Sequence, residues 1–344
     1  MRSWLDDPTF SPALLDRHLS NTLSNRKDQL DKDQYLTAAL DAYAKYGERS
    51  AWKVAPSNAT LAAAKPKALR TLMRTMLDHR GRTLYFGTRT ADDAAALLGL
   101  KKTSKGRTRF RDPGDAWIRT FRPLTGPTVY FLHKKVAKAN VRFAFPAGPL
   151  TREERPLAKL YSQVLSGNMS AAVFQELRES SGLAYSAYAT VSSGRTPKDA
   201  SALFGSLSTQ TDKTPDALAR FMALLKSPPL SKARVEEARE SIDHEYRATR
   251  LDPRYVGWNV VSWDERQESS DPRAWEWAQV QSAGAAALEA FAAAWADAPA
   301  VFAVVGERSR VGMDALEALG DVHEVERETL FGYGPFPSDS KAAR

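Results

Sequence analysis

Strand-like runs are distributed along this chain of 344 residues in a way that few architectures can satisfy. The first hundred residues hold one, Thr83-Leu84-Tyr85-Phe86-Gly87. Nearly everything in 8–80 reads as helix. Over 31–46, Tyr35, Leu36, Ala39, Leu40, Tyr43 and Tyr46 form a 3.6-period stripe that Gly47 ends. Ser57 or Asn58 can cap a short helix at 59–64. Pro66 opens another, with Leu69, Leu72, Met73, Met76 and Leu77 on one face. A short helix capped near Thr90 follows at 90–98. A lone strand leaves backbone donors and acceptors unpaired, so 83–87 needs a partner. Either it joins a sheet formed later in the chain, or the first unit lacks part of its sheet here.

After residue 126 the texture changes. Thr128-Val129-Tyr130-Phe131-Leu132 reads as a strand, and 140–145 alternates Val141, Phe143 and Phe145 on one face. Helices are expected at 153–166 and 170–180, and strands at 184–192 and 201–208. Three or four helices run from 213 to 296, one of them at 231–248. Then come a buried strand at 300–305, a short helix at 312–318 and a strand at 322–326. A run of strands, a run of helices and a late strand argue an α+β layer architecture, read here as a two-layer sandwich. The first unit echoes the end of the second. Each has helices, a strand closing in Gly (Phe86-Gly87; Val305-Gly306) and a short helix rich in Ala and Leu. The expected organisation is a partial, mostly helical domain at 1–100 with one orphan strand and a linker at 101–125. A complete α+β domain at 126–335 and a tail at 336–344 follow.

Composition narrows the function. With 43% hydrophobic and 26% charged residues, the chain can bury a core. No apolar run approaches the ~20 residues that span a bilayer, and no secretory signal opens the chain. As it stands it is expected in the cytoplasm, or in the cell envelope if it is a fragment. Zero cysteines exclude disulfides, thiolate zinc sites, Fe–S clusters and cysteine nucleophiles. The net charge of +8 is concentrated at 101–111, which has six positive charges, no acid and one aromatic, Phe110. That stretch reads as a solvated linker. Nucleic-acid binding is the minor alternative, since base-stacking modules present several aromatics.

Catalytic motifs are scarce. The histidines are His18, His79, His133, His244 and His323. A zinc hydrolase helix carries two His on one face with a Glu between them. His244-Glu245 has Ala248 at the second ligand position and His323-Glu324 has Arg327, so HExxH is incomplete, and HxxEH does not occur. G-x-S-x-G, the Walker loop and G-x-G-x-x-G are missing too. One segment stands out, 165–189, which reads LSGNMSAAVFQELRESSGLAYSAYA. Gly167 ends one helix. Ser170 is expected to cap the next, whose Val173, Phe174 and Leu177 pack inward. Gly182 ends that helix before a strand from about Ala184. The turn can aim Arg178 and Tyr185 at one point, and a guanidinium with a phenol suits a peptide carbonyl or its oxyanion. On the residues alone a second reading stands beside it: Arg178 complements the helix C-terminus and Tyr185 packs in the sheet.

Residues 167–186 resemble the C-terminal half of the pitrilysin/insulin-degrading-enzyme family of zinc peptidases, the inverted zincins. The pattern there is a Gly-rich turn, M-S-x-x-L/V-F-Q-E-L-R-E, then G-L-A-Y-S. Ala172 stands where an Arg is frequent. Collinear matches occur at 129–148, at Val304-Val305-Gly306 and at Leu330-Phe331-Gly332-Tyr333. The resemblance implies a two-half enzyme closing around a chamber. Zinc and its HxxEH motif lie in the N-terminal half. An Arg and a Tyr seven positions apart, here Arg178 and Tyr185, reach in from the C-terminal half. No metal or cofactor is expected in this chain, which is expected to be inactive alone. The expected partners are a zinc-bearing homologous half or subunit and a peptide substrate. The alternative is a scaffold or binding protein of the same family that has lost catalysis.

Overall fold

A computed structural model describes residues 8–77, 82–97, 120–296 and 298–336. The basic stretch 101–111, His79, residues 101–119 of the expected linker and the tail beyond Phe336 lie outside them.

The N-terminal region is helical: α1 (Pro12–Gln29), α2 (Asp33–Tyr46), α3 (Asn58–Ala62), α4 (Pro66–Leu77) and α5 (Ala91–Leu97). Ser57 caps α3, its hydroxyl accepting from Thr60 N at 3.0 Å. Thr90 caps α5, accepting from Asp93 N at 3.1 Å. Then follow β1 (Thr128–His133), β2 (Lys138–Ala147), α6 (Glu154–Ser166), a π-helical turn (Phe174–Glu179), β3 (Ala184–Ser192) and β4 (Ser201–Gln210). The chain closes with α7 (Thr214–Lys226), α8 (Lys232–Ala248), α9 (Val256–Glu265), α10 (Arg273–Ser282), α11 (Ala285–Ala296), β5 (Val301–Gly306), α12 (Met313–Leu319) and β6 (Asp321–Glu324).

The six strands form one mixed sheet in the order β3-β4-β2-β5-β1-β6. β5 lies between β1, which it meets in parallel, and β2, which it meets antiparallel. The period-2 pattern sorts side chains between two cores. Val129, Phe131, Val141, Phe143, Phe302 and Val304 point to the face covered by α6, α7, α8, α10 and α11. Tyr130, Leu132, Val301, Ala303 and Val305 point to the other. All of β5 is buried because both faces are covered.

The α+β class holds, and the sheet gains a third layer. Its second face is not solvated: α2 lies across it and buries Leu36, Ala39, Leu40 and Ala44. Gly47, at φ +58°, stops that helix and donates its N–H to Tyr43 O. The closing segment joins the same face, with Tyr35 and Tyr333 hydroxyls 2.6 Å apart.

The strand expected over 83–87 is a correction. Those residues lie outside any strand, and the first strand among the described residues is β1. Tyr85 folds back instead, its hydroxyl accepting from Arg89 N at 3.1 Å. A β-prone run with no edge to pair with gains nothing from extension.

Two surface ion pairs lead to an expected acid sensitivity of the fold. The Arg195 guanidinium, 2.5 Å from Glu265, holds that carboxyl below its usual range. Arg273, 2.8 Å from Asp271, does the same there. A carboxyl with a depressed folded pKa stabilises the fold above its ordinary pKa, and that contribution fades as pH falls through the folded value. Tm is therefore expected to drop as pH goes from about 5 towards 3. Arg195→Gln should flatten part of that slope in a pH series of thermal melts.

Candidate functional site

The segment that carries Arg178 and Tyr185 departs from regular structure twice, and each departure turns one of the two side chains outward. The first is the π-turn. Ala172, Val173 and Leu177 are buried and fix its inner face. One extra residue per turn then appears, with Ser180 N donating to Gln175 O at 2.8 Å. Gly182 stops the turn at φ +58°. Gly182 N donates to Arg178 O at 3.2 Å and Leu183 N to Leu177 O at 3.0 Å, each span one residue wider than in an α-helical glycine stop. The Arg178 side chain is 54% exposed, with Glu179 at 3.8 Å, and its guanidinium lies over the Phe174 ring at 4.9 Å. Phe174, expected to pack inward, is half-buried and serves as that platform.

The second departure is a β-bulge. Ala184 pairs with Thr209 and Ser186 with Ser208, so Tyr185 is the extra residue between them. A bulge re-aims the side chain it carries. Tyr185 is 53% exposed, and Lys138 Nζ sits 4.1 Å from its ring centroid. Thr209 Oγ1 donates to Leu183 O at 2.5 Å and pins the start of β3. β3 is an edge strand, and its second half is sealed: Ser166 Oγ accepts from Ala189 N at 2.8 Å and Ser162 Oγ from Val191 N at 2.9 Å. Among the described residues no such bond is made to 184–188, so the exposed Tyr185 and Tyr188 stand on the unsealed half of that edge.

The structure thus places Arg178 and Tyr185 on either side of the Gly182 turn, both more than half exposed, with no hydrogen bond described between them. The π-turn, the bulge, the Phe174 platform and the place of Lys138 have no signal in residue spacing. Ser170 is a correction. Its hydroxyl bonds Asn168 Oδ1 at 2.7 Å and also Glu237, not a helix N–H, because the π-turn starts further on.

Among the described residues no three His, Asp or Glu side chains converge as ligands. His133 Nδ1 accepts from Arg308 N at 3.1 Å, and His323 stacks on Tyr130 with centroids 5.3 Å apart. No described helix is long and apolar enough to cross a membrane.

Residues 90–242 match the family model described as the peptidase M16 inactive domain. By sequence, that stretch belongs to the M16 peptidase family. The pitrilysin-type resemblance read from 167–186 is the same family, and the Arg178–Tyr185 segment lies inside the match. A search of curated protein sequences returned no match. Solved structures share the fold. A peptidase M16 inactive domain from Pseudomonas fluorescens is 13% identical, with a TM-score of 0.62 over 87% of this chain and 71% of that one. The periplasmic protease PqqL of Escherichia coli is 12% identical at a TM-score of 0.62, over 87% of this chain and 33% of its own. A chain of complex III2 from Candida albicans is 12% identical at 0.57, over 84% of this chain and 70% of that one. At these identities the likeness is one of fold, and this chain spans a third of PqqL.

Proposed function

We propose that this chain is the half of an M16-type metalloendopeptidase that holds no zinc, and that it lends Arg178 and Tyr185 to a chamber closed by a zinc-bearing half. The observation that carries the reading is the pair of backbone irregularities beside Gly182. A residue that only packs in a sheet needs no bulge, and a residue that only complements a helix end needs no ring beneath it. Arg178 offers the N–H donors of a guanidinium fork, and Tyr185 offers a phenol O–H. Two such donors can hold the scissile carbonyl of a peptide and stabilise the oxyanion formed as water adds to it. Unfolded peptides are the substrate class.

Alone, the chain is expected to cleave no peptide and to hold no stoichiometric zinc. Addition of a zinc-bearing M16 half should give saturable, chelator-sensitive cleavage of an unfolded peptide. One tightly held zinc per isolated chain by elemental analysis, with cleavage, would sink the proposal. A second reading, a scaffold without catalysis, draws support from the description of the matched family as an inactive domain and from the fold neighbour in complex III2. It expects assembly with a partner half and no change in turnover on loss of Tyr185.

A further inference from the structure

A cavity of about 340 Å³ opens between α6, the edge strand β3 and the chain that links α9 to α10. Its charged walls are Arg155, Lys159, Arg266 and Glu276, and Tyr188 and Thr190 form its β3 side. Neither Arg178 nor Tyr185 lines it.

The turn that ends α9 carries Glu265, Arg266, Gln267 and Glu268, and they find different surroundings. Glu265 is held by Arg195 at 2.5 Å. The Glu268 side chain is 6% exposed and receives Arg152 at 3.0 Å and Arg155 at 3.2 Å. Gln267 stands at φ +60°, the left-handed region that a side chain seldom occupies, and Glu268 N donates to Trp263 O at 2.9 Å to close the helix. Arg266 lies between these matched carboxylates and lines the cavity. Among the described residues it has no ion-pair partner, and its Nε is buried without an acceptor. An unmatched buried donor destabilises a fold, so its retention beside an open cavity calls for a reason.

The other charges in the walls are already engaged. Arg155 is bound to Glu268. Lys159 Nζ sits over the Tyr246 ring at 4.4 Å and 3.5 Å from Glu245. Glu276 is hydrogen-bonded to Tyr246. One guanidinium remains to be matched, and its planar fork fits one carboxylate. Glu276 in the same wall opposes a second negative charge on the ligand, which disfavours a phosphate dianion.

We infer that this cavity is a subsite for a carboxylate group of a bound peptide, with Arg266 as the residue that reads it. The inference rests on peptide as the ligand class of the proposed function and not on catalysis by Tyr185. β3 carries both Tyr185 and the cavity wall. An extended chain advances about 3.3 Å per residue, so Tyr188 and Thr190 put the carboxylate about three to five residues from a peptide bond held at Tyr185. An Asp or Glu side chain and the peptide's own C-terminus supply the same group.

The test is fluorescence anisotropy of labelled unfolded peptides with the full chain. Three peptides differ only in their carboxylates: one amidated with a single internal Glu, the same with Gln in its place, and the Gln peptide with a free C-terminus. At least one carboxylate-bearing peptide should bind about tenfold or more tightly than the peptide with none, and the one that gains identifies the source. Arg266→Met keeps the stem and removes the fork. It should erase that gain, Arg266→Lys should restore part of it, and Tyr185→Phe should leave it within about twofold. Tm of Arg266→Met should match or exceed the parent's, because an unmatched donor has gone. A marked fall in Tm would assign Arg266 to the fold and overturn the inference. So would equal binding of the three peptides, no binding, a gain that survives Arg266→Met, or competition by inorganic phosphate as strong as by acetate. A carboxylate gain retained while turnover of a reconstituted complex ignores Tyr185→Phe would sink the chamber role alone. Turnover lowered by Tyr185→Phe with no carboxylate gain would sink this subsite alone.

Discussion

Tyr185→Phe, in a complex reconstituted with a zinc-bearing half, is expected to lower kcat by about 10²–10³, the usual cost of one oxyanion donor. The fall should appear in kcat and kcat/KM alike, because the hydroxyl is asked to act only as the oxyanion develops. Phe keeps the ring under Lys138 Nζ, 4.1 Å from its centroid, so Tm should stay within about 0.5 kcal/mol-equivalent of the parent. Arg178→Ala should cost a similar factor, with a higher KM if the guanidinium also holds the ground-state carbonyl. Unchanged turnover in a folded Tyr185→Phe complex would return Tyr185 to a packing role in the sheet. The favoured mechanism would then be the scaffold.

Phe143→Ala is expected to cost about 3–5 kcal/mol of folding stability, a large part of the 5–15 kcal/mol typical of a domain. Phe143 is buried at the centre of an aromatic cluster, with ring centroids 5.0 Å from Phe221, 5.8 Å from Phe302 and 5.9 Å from Phe145. It also lies opposite Gly205 across the β2–β4 ladder, where a Cβ would fall 1.9 Å from its ring. Gly205→Ala should therefore destabilise too, by crowding rather than by backbone strain. The pair should be non-additive: with the ring gone, the alanine at 205 has room and part of its cost disappears. Urea melts of the parent, both single variants and the double variant measure that coupling. Additive costs would mean that the sheet relaxes around residue 205 in some other way.

The sequence was most informative where structure is local. The stripe of α2, the caps at Ser57 and Thr90 and the alternation of β2 all follow from spacing that neighbouring residues enforce. Where a run needs a distant partner, the sequence reading was half right. The run 300–305 and the run 83–87 look alike as sequence, yet one forms β5 and the other forms no strand, because only one finds strands on both sides. The candidate site divides the same way. Arg178 and Tyr185 were legible as a spaced pair beside a glycine stop, and the family match covers them.

What the sequence determined by itself was therefore the inventory: which stretches are helical or extended, that the class is α+β, that no HxxEH motif is present, and which two side chains carry the resemblance. What only the tertiary structure decided was placement. Burial of Val173 and Leu177 sets the inner face from which the π-turn projects Arg178, and the ladder to β4 absorbs one extra residue at Tyr185. α2 crosses the second face of a sheet whose strands begin 82 residues after its own end at Tyr46. Spacing along a chain reports only what the nearest turns of backbone allow. Register, bulges and the choice of face are settled by long-range contacts, which are fixed only once the whole sheet has paired.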